Sequence, residues 1–175
     1  MPTKKLKGVY IKRMKKYIAY LRSGKYLQVD GALRSRSEDD NKLRYCCLGV
    51  ACNVYRDETG KGRWKKKGEG CYGTKHVFLN SSLLMPVEVA KWLGIFDVAS
   101  HDPDDDGFNP ELTLPKELIK ALSKGVDPGC KPNKHTSASS LNDNDKATFD
   151  QIADAFEFTY LSPKDRTKKK KAKSK

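Results

Sequence analysis

The chain has 175 residues, 33 % charged and 37 % apolar, with a net charge of +13. That length describes one domain with tails, large enough to bury a core without metal or disulfide staples. No window approaches the roughly 18 consecutive apolar residues of a membrane-spanning helix, and the basic opening "MPTKKLKGVYIKRMKK" has no apolar h-region behind it, so a cytosolic protein with reduced thiols is expected.

In "VYIKRMKKYIAYLRSGKY", Ile11, Met14, Ile18 and Leu21 recur at spacings of three and four, which predicts a helix with one apolar stripe and a Lys/Arg face, ended by Gly24. "LRYCCLGVACNVY" (43–55) is apolar nearly all round and reads as a buried helix, with a central strand as the alternative that its length and modest β-branching disfavour. The basic, glycine-rich stretch that follows, with Trp64, Tyr72 and then "KHVFLN", predicts a short β-hairpin. Pro86 with Glu88, and Pro115 with Glu117, mark the first turns of two more helices, stopped by Gly94 and Gly125. Asn142, Asp143 or Asp145 is the expected cap of a last helix whose apolar face is Phe149, Ile152, Ala153 and Phe156. The expected architecture is therefore a compact, mainly helical α+β domain over residues 1–162 with a short hairpin. Pro163 and the lysine run after it predict a disordered basic tail, 163–175.

Three cysteines in "YCCLGVAC" raise the question of chemistry. On a helix, Cys46 and Cys52 diverge by about 240° and Cys47 and Cys52 by about 140°, too widely for one tetrahedral zinc, so core packing is the expectation. The alternative is a nucleophile at a helix N-terminus, Cys46, served by His76 on the following strand. That order resembles papain-like and NlpC-type thiol hydrolases, at a shorter spacing and without a clear third member. Two C-x4-H pairs, Cys71 with His76 and Cys130 with His135, offer a weak Cys2His2 set that lacks the C-x2-C knuckle. Asp102, Asp104, Asp106 and Gly107 begin like a calcium loop, but Thr113 stands where the bidentate Glu belongs. The expectation is no metal and no cofactor.

Charge is the stronger signal. Residues 1–26 hold nine Lys or Arg and no acid, and 163–175 hold eight against Asp165 alone. Residues 60–75 hold six against Glu69, whereas 97–111 hold six acids and neither Lys nor Arg. Basic segments of this kind attract phosphates without reading sequence, and aromatic rings among them stack on bases. The candidate nucleic-acid contacts are Lys12, Arg13 and Lys16 of the first helix; Arg63, Trp64, Lys65, Lys66, Lys67 and Tyr72 of the hairpin; and Lys168, Lys169, Lys170 and Lys171 of the tail.

The pieces "GKYLQVDGALR", "RYCCLGVACNVY", "PVEVAKWLG" and "LNDNDKATFDQIADAFE" together resemble a family of short, uncharacterised proteins of bacteriophage and bacterial genomes, over about Leu21 to Glu157. The resemblance implies a phage setting, hence the host cytosol, and carries no catalytic residues. The expected role is that of a small non-enzymatic accessory protein that binds nucleic acid loosely. Its alternatives are binding to an acidic host protein and, behind that, a small thiol hydrolase.

Overall fold

A computed structural model describes residues 5–70, 73–98, 107–124 and 132–167. Helix α1 spans Val9–Leu21 and is followed by three very short strands, β1 (Leu27–Gln28), β2 (Arg34–Arg36) and β3 (Leu43–Tyr45). Helix α2 (Cys47–Thr59) leads into a hairpin of β4 (Trp64–Gly70) and β5 (Gly73–Phe78), then α3 (Val87–Leu93), β6 (Glu111–Thr113) and α4 (Lys116–Leu122). The chain closes with β7 (His135–Ser137), α5 (Ala138–Asp143), α6 (Phe149–Tyr160) and a 3-10 turn at Pro163–Asp165.

The fold is mixed α and β, and the sheet is larger than a hairpin. Strands run in the order β1-β3-β2-β5-β4, antiparallel except for β1 against β3, with a separate two-stranded pair of β6 and β7. The expected hairpin is the β4–β5 half of this sheet. The other half was not expected because "RSR" and "LRY" are too short and polar to show strand periodicity, and pairing of β2 with β5 and of β3 with β2 and β1 supplies what local preference lacks.

Helix α2 is the core. Every residue from Cys47 to Tyr55 is buried, as its all-round apolarity predicts. Helix α1 packs on it through Met14, Tyr17, Ile18 and Leu21, with Ile11 only partly covered. The Tyr17 hydroxyl donates to the Cys47 carbonyl at 3.0 Å, and its ring meets Phe156 of α6 edge-on at 5.0 Å. Phe149, Ile152, Ala153 and Phe156 are all buried, so the predicted face of α6 is the one that packs. Its cap is different: Thr148 accepts from the Gln151 amide and Gln151 returns the bond, a capping box, while Asn142 and Asp143 end the separate helix α5. Pro86 and Pro115 sit one position earlier than expected, as caps rather than first helical residues. Gly94 takes the left-handed conformation that stops α3, at φ 76°; Gly125 lies outside the described residues.

The chain does not leave the domain at Pro163. Arg166 donates to the Phe158 carbonyl at 3.1 Å and Thr167 to the Glu157 carboxylate, which also binds Arg22, the C-cap of α1, at 3.1 Å. Burial alone would raise the Glu157 pKa, but the bonds from Arg22 and Thr167 outweigh it and hold the carboxyl below its ordinary value. Residues 168–175 lie outside those described.

Two points tie α2 to the strands. The carboxamide of Asn142, fully buried, accepts from Gln28 at 3.0 Å and from the Cys47 amide at 3.3 Å, and donates to the Val29 carbonyl at 3.0 Å and to Asp143 at 2.6 Å. Gly49 lies so close to the strand-entry loop that a Cβ there would stand 1.7 Å from the Leu33 carbonyl oxygen. We expect Asn142→Ala to lower unfolding free energy by about 2–4 kcal/mol, because it strands the Cys47 amide and the Val29 carbonyl without partners. Gly49→Ala should cost about 3 kcal/mol through a clash with rigid backbone. Denaturant melts of both variants check these values.

Candidate nucleic-acid interface

The sheet gathers cations that are scattered in the sequence. Arg34 and Arg36 come from β2, Arg44 from β3, Lys65, Lys66 and Lys67 from β4, and Lys75 from β5. Because β4 is an outer strand with β5 on one side only, its three lysines are exposed. Lysines on an edge strand also keep it from pairing with another chain. Lys67, at the irregularity between Lys66 and Gly68, donates to Ser82 Oγ at 3.2 Å. Among the described residues neither Lys65 nor Lys66 makes an ion pair.

Register places Tyr45, Arg34, His76 and Lys66 in one row across β3, β2, β5 and β4, and partners in such a row share a face. Trp64 lies on the same face as Lys66, two residues away. Its indole N–H donates to Asn53 Oδ1 of α2 at 2.9 Å, and its ring lies 4.9 Å from Phe78 and 6.1 Å from Tyr45. Above that ring, at 4.4 Å, sits the Arg34 guanidinium. Trp64, expected as a platform for bases, is half-buried in the fold and carries the Arg34 guanidinium on its ring.

Other expected contacts are dispersed. Lys12 is exposed on α1, Lys16 is ion-paired with Glu58, and Arg13 is laid against Trp92 at 4.9 Å and donates to the Trp92 carbonyl at 2.8 Å. Helix α1 packs on α2, α3 and α6, whereas β4 packs on β5. Arg63 is exposed just before β4 and belongs with its lysines. Tyr72, Lys168, Lys169, Lys170 and Lys171 lie outside the described residues. Arg34, Arg36 and Arg44 were not singled out from sequence, although the period-two pattern of "RSR" is a readable sign of two cations on one strand face.

The thiols are interior. Cys46 precedes α2 and its amide donates to the Leu33 carbonyl at 3.3 Å. Burial pushes its pKa up to about 12; Asp143 adds to the rise and the amides of the first helical turn oppose it. Cys47 and Cys52 are driven well above the usual thiol range, again by burial. His76 belongs to β5, two strands from the β3 end that carries Cys46, and faces Arg34 and Arg36, so the structure does not pair the candidate nucleophile with the candidate base. His135, in the smaller sheet, meets Thr113 at 3.3 Å, while Cys71, Cys130, Asp102, Asp104 and Asp106 lie outside the described residues. Among the described residues no group of three His, Cys, Asp or Glu side chains is placed to hold a metal.

Segments from three of the distinctive sequence pieces meet at a polar cleft of about 590 Å³ lined by Gln28, Asp30, Arg44, Asn142, Lys146 and Thr148, where Lys146 is ion-paired with Asp30. No helix among the described residues is long and apolar enough to cross a membrane.

These features define a mixed α/β domain with a central buried helix and a five-stranded sheet whose outer half is cationic. The chain belongs to the domain family of unknown function DUF8296, which matches residues 10–160. No curated protein and no solved structure matches it.

With their thiols buried and protonated, Cys46, Cys47 and Cys52 should resist iodoacetamide in native protein at about pH 8 and react fully once it is unfolded. Peptide mapping by mass spectrometry checks this for each. Cys52→Ser should destabilise by about 1–3 kcal/mol through burial of a hydroxyl, measured in urea.

Proposed function

We propose that this protein binds nucleic acid loosely through the cationic half of its sheet, as a small non-enzymatic accessory protein, in the phage setting that its sequence resemblance implies. The observation that carries the reading is the arrangement of Arg63, Lys65 and Lys66 along an outer strand with no carboxylate partner among the described residues, beside Arg36, which bonds the Asn41 carbonyl, and Arg34, which bonds Tyr45. Cations left in this state meet phosphates with little to displace except water and counterions, and the counterions released along the polyanion supply the free energy. Such contacts position a backbone without reading bases, which fits loose binding. An acidic protein surface would satisfy the same cations and is the second reading.

Anisotropy titrations of single- and double-stranded oligonucleotides against salt test the proposal. The intact protein should bind both at about 50 mM salt, and log affinity should fall linearly with log salt. Replacing Lys65, Lys66 and Lys67 together with Ala should flatten that slope by about 0.7 (single strands) to 0.9 (duplex) for each lysine that touches a phosphate, with no change in sequence preference. Retention of acidic polypeptide with none of nucleic acid would hand this face to the second reading.

A further inference from the structure

The row across the sheet contains a place that cations alone do not explain. Arg34 is half-buried, and among the described residues no carboxylate faces it; its charged neighbours are Arg36 and Arg56, and Arg56 is already paired with Asp57. Its Nε–H is buried without an acceptor. Directly across the strand pair, His76 is 8 % exposed, and its Nδ1 is likewise buried without a partner. Two orphan polar atoms on adjacent strands are uncommon in a native interior, where nearly all such groups are satisfied. Trp64 fixes the guanidinium from below at 4.4 Å, and the guanidinium also donates to the Tyr45 hydroxyl on β3.

We propose that Arg34 and His76 form an oxyanion seat in the sheet that takes one phosphodiester group of a bound nucleic acid, with Arg36 and Lys66 flanking it. This rests on the nucleic-acid reading above and names where that surface makes its defined contact. The side-on edge of a guanidinium, Nε with one Nη, matches two phosphate oxygens, a geometry that the exposed lysines of β4 do not offer; because Arg34 Nε and His76 Nδ1 are covered in the unliganded fold, the phosphate reaches them only as the side chains over them move aside. His76 then contributes in a pH-dependent manner. In the unliganded fold burial holds its imidazole below the ordinary value of 6.5, and the charges of Arg34 and Arg36 lower it further. Besides these two from β2, the charged side chain facing it from β4 is Lys66, again a cation. A phosphodiester seated among them reverses the local field and favours the imidazolium, so binding takes up a proton from solvent. The phosphodiester itself does not titrate in this range, which leaves His76 as the source of the effect.

The test uses the full chain and a single-stranded oligonucleotide of mixed sequence, titrated by anisotropy between pH 7.5 and 5.5 at fixed salt. Affinity should rise as pH falls, by up to about tenfold per unit, the limit for one linked proton. His76→Gln should bind with nearly pH-independent affinity while keeping the salt slope. Arg34→Gln should lose about tenfold or more at every pH, and Arg34→Lys should fall between, since lysine keeps the charge but not the planar edge. Should either variant fold poorly, the His76 ring resonances of the unaltered protein give a second measurement: its apparent pKa should rise when the oligonucleotide is added. Binding that is independent of pH and indifferent to Arg34→Gln, with His76 titrating identically in free and bound protein, would overturn the seat while leaving the cationic surface intact. Absence of any binding by the intact protein at about 50 mM salt would overturn both, and binding of poly-glutamate alone would assign the seat to a carboxylate of a protein partner.

Discussion

The side chain of Asn142 is where the architecture closes. Its oxygen takes two hydrogen bonds and its nitrogen gives two, so the amide is saturated, and its four partners come from β1, the loop after it, the start of α2 and the neighbouring Asp143. Asp143 in turn accepts from the Gly31 amide at 3.2 Å, which fixes the same loop a second time. That loop delivers Leu33 to its place against Gly49, and the next residue is Arg34, the first of β2. The position of the cationic row therefore depends on an uncharged amide on another element. A carboxylate could not take its place, because it has no hydrogen to give the Val29 carbonyl and would bury a charge beside Asp143.

The helical half of this arrangement was legible in the sequence because each long helix announces its buried face by spacing alone. Met14, Ile18 and Leu21 on α1, and Ile152, Ala153 and Phe156 on α6, are local patterns with local consequences. The sheet was legible only where strands are long enough to alternate, in β4 and β5. Strands β1 to β3 span two or three residues each, and what makes them strands is pairing with one another and, for β2, with residues far along the chain, such as Ser35 with Lys75. The same limit applies to the candidate site. Basic residues can be counted in a sequence, but that Arg34 lacks a carboxylate while Lys16 has Glu58 is a matter of which surfaces meet. Trp64 shows the difference in one residue: its lysine neighbours suggested an exposed ring, and its bond to Asn53 places it against the core helix.

Electrostatically the domain separates two uses of arginine. Arg22 is spent on structure, divided between Asp154 and Glu157, and it brings the end of α1 to the last helix. Arg13 is likewise absorbed by Trp92. Arg34 also rests on a tryptophan and bonds Tyr45, yet among the described residues no carboxylate pairs with it. Desolvation lowers its pKa below that of a free guanidinium, though far too little to discharge it near neutrality. A permanently charged group kept half out of water, with no counter-ion among the described residues, raises the free energy of the protein, which is the physical basis of the anion seat proposed above.

The contact between Tyr17 and Phe156, reinforced where the Leu6 amide meets the Tyr160 carbonyl at 2.9 Å, sets the timing of folding on the ribosome. The apolar stripe of α1 is made well before the surface that covers it on α6. Until α6 is made that stripe, and the flank of α2 beneath α5, stay open to water and to chaperones. At about 5–20 residues per second the interval is on the order of ten seconds. A product that terminates before α6 cannot complete its interior, so quality control has a simple exposed feature by which to remove it.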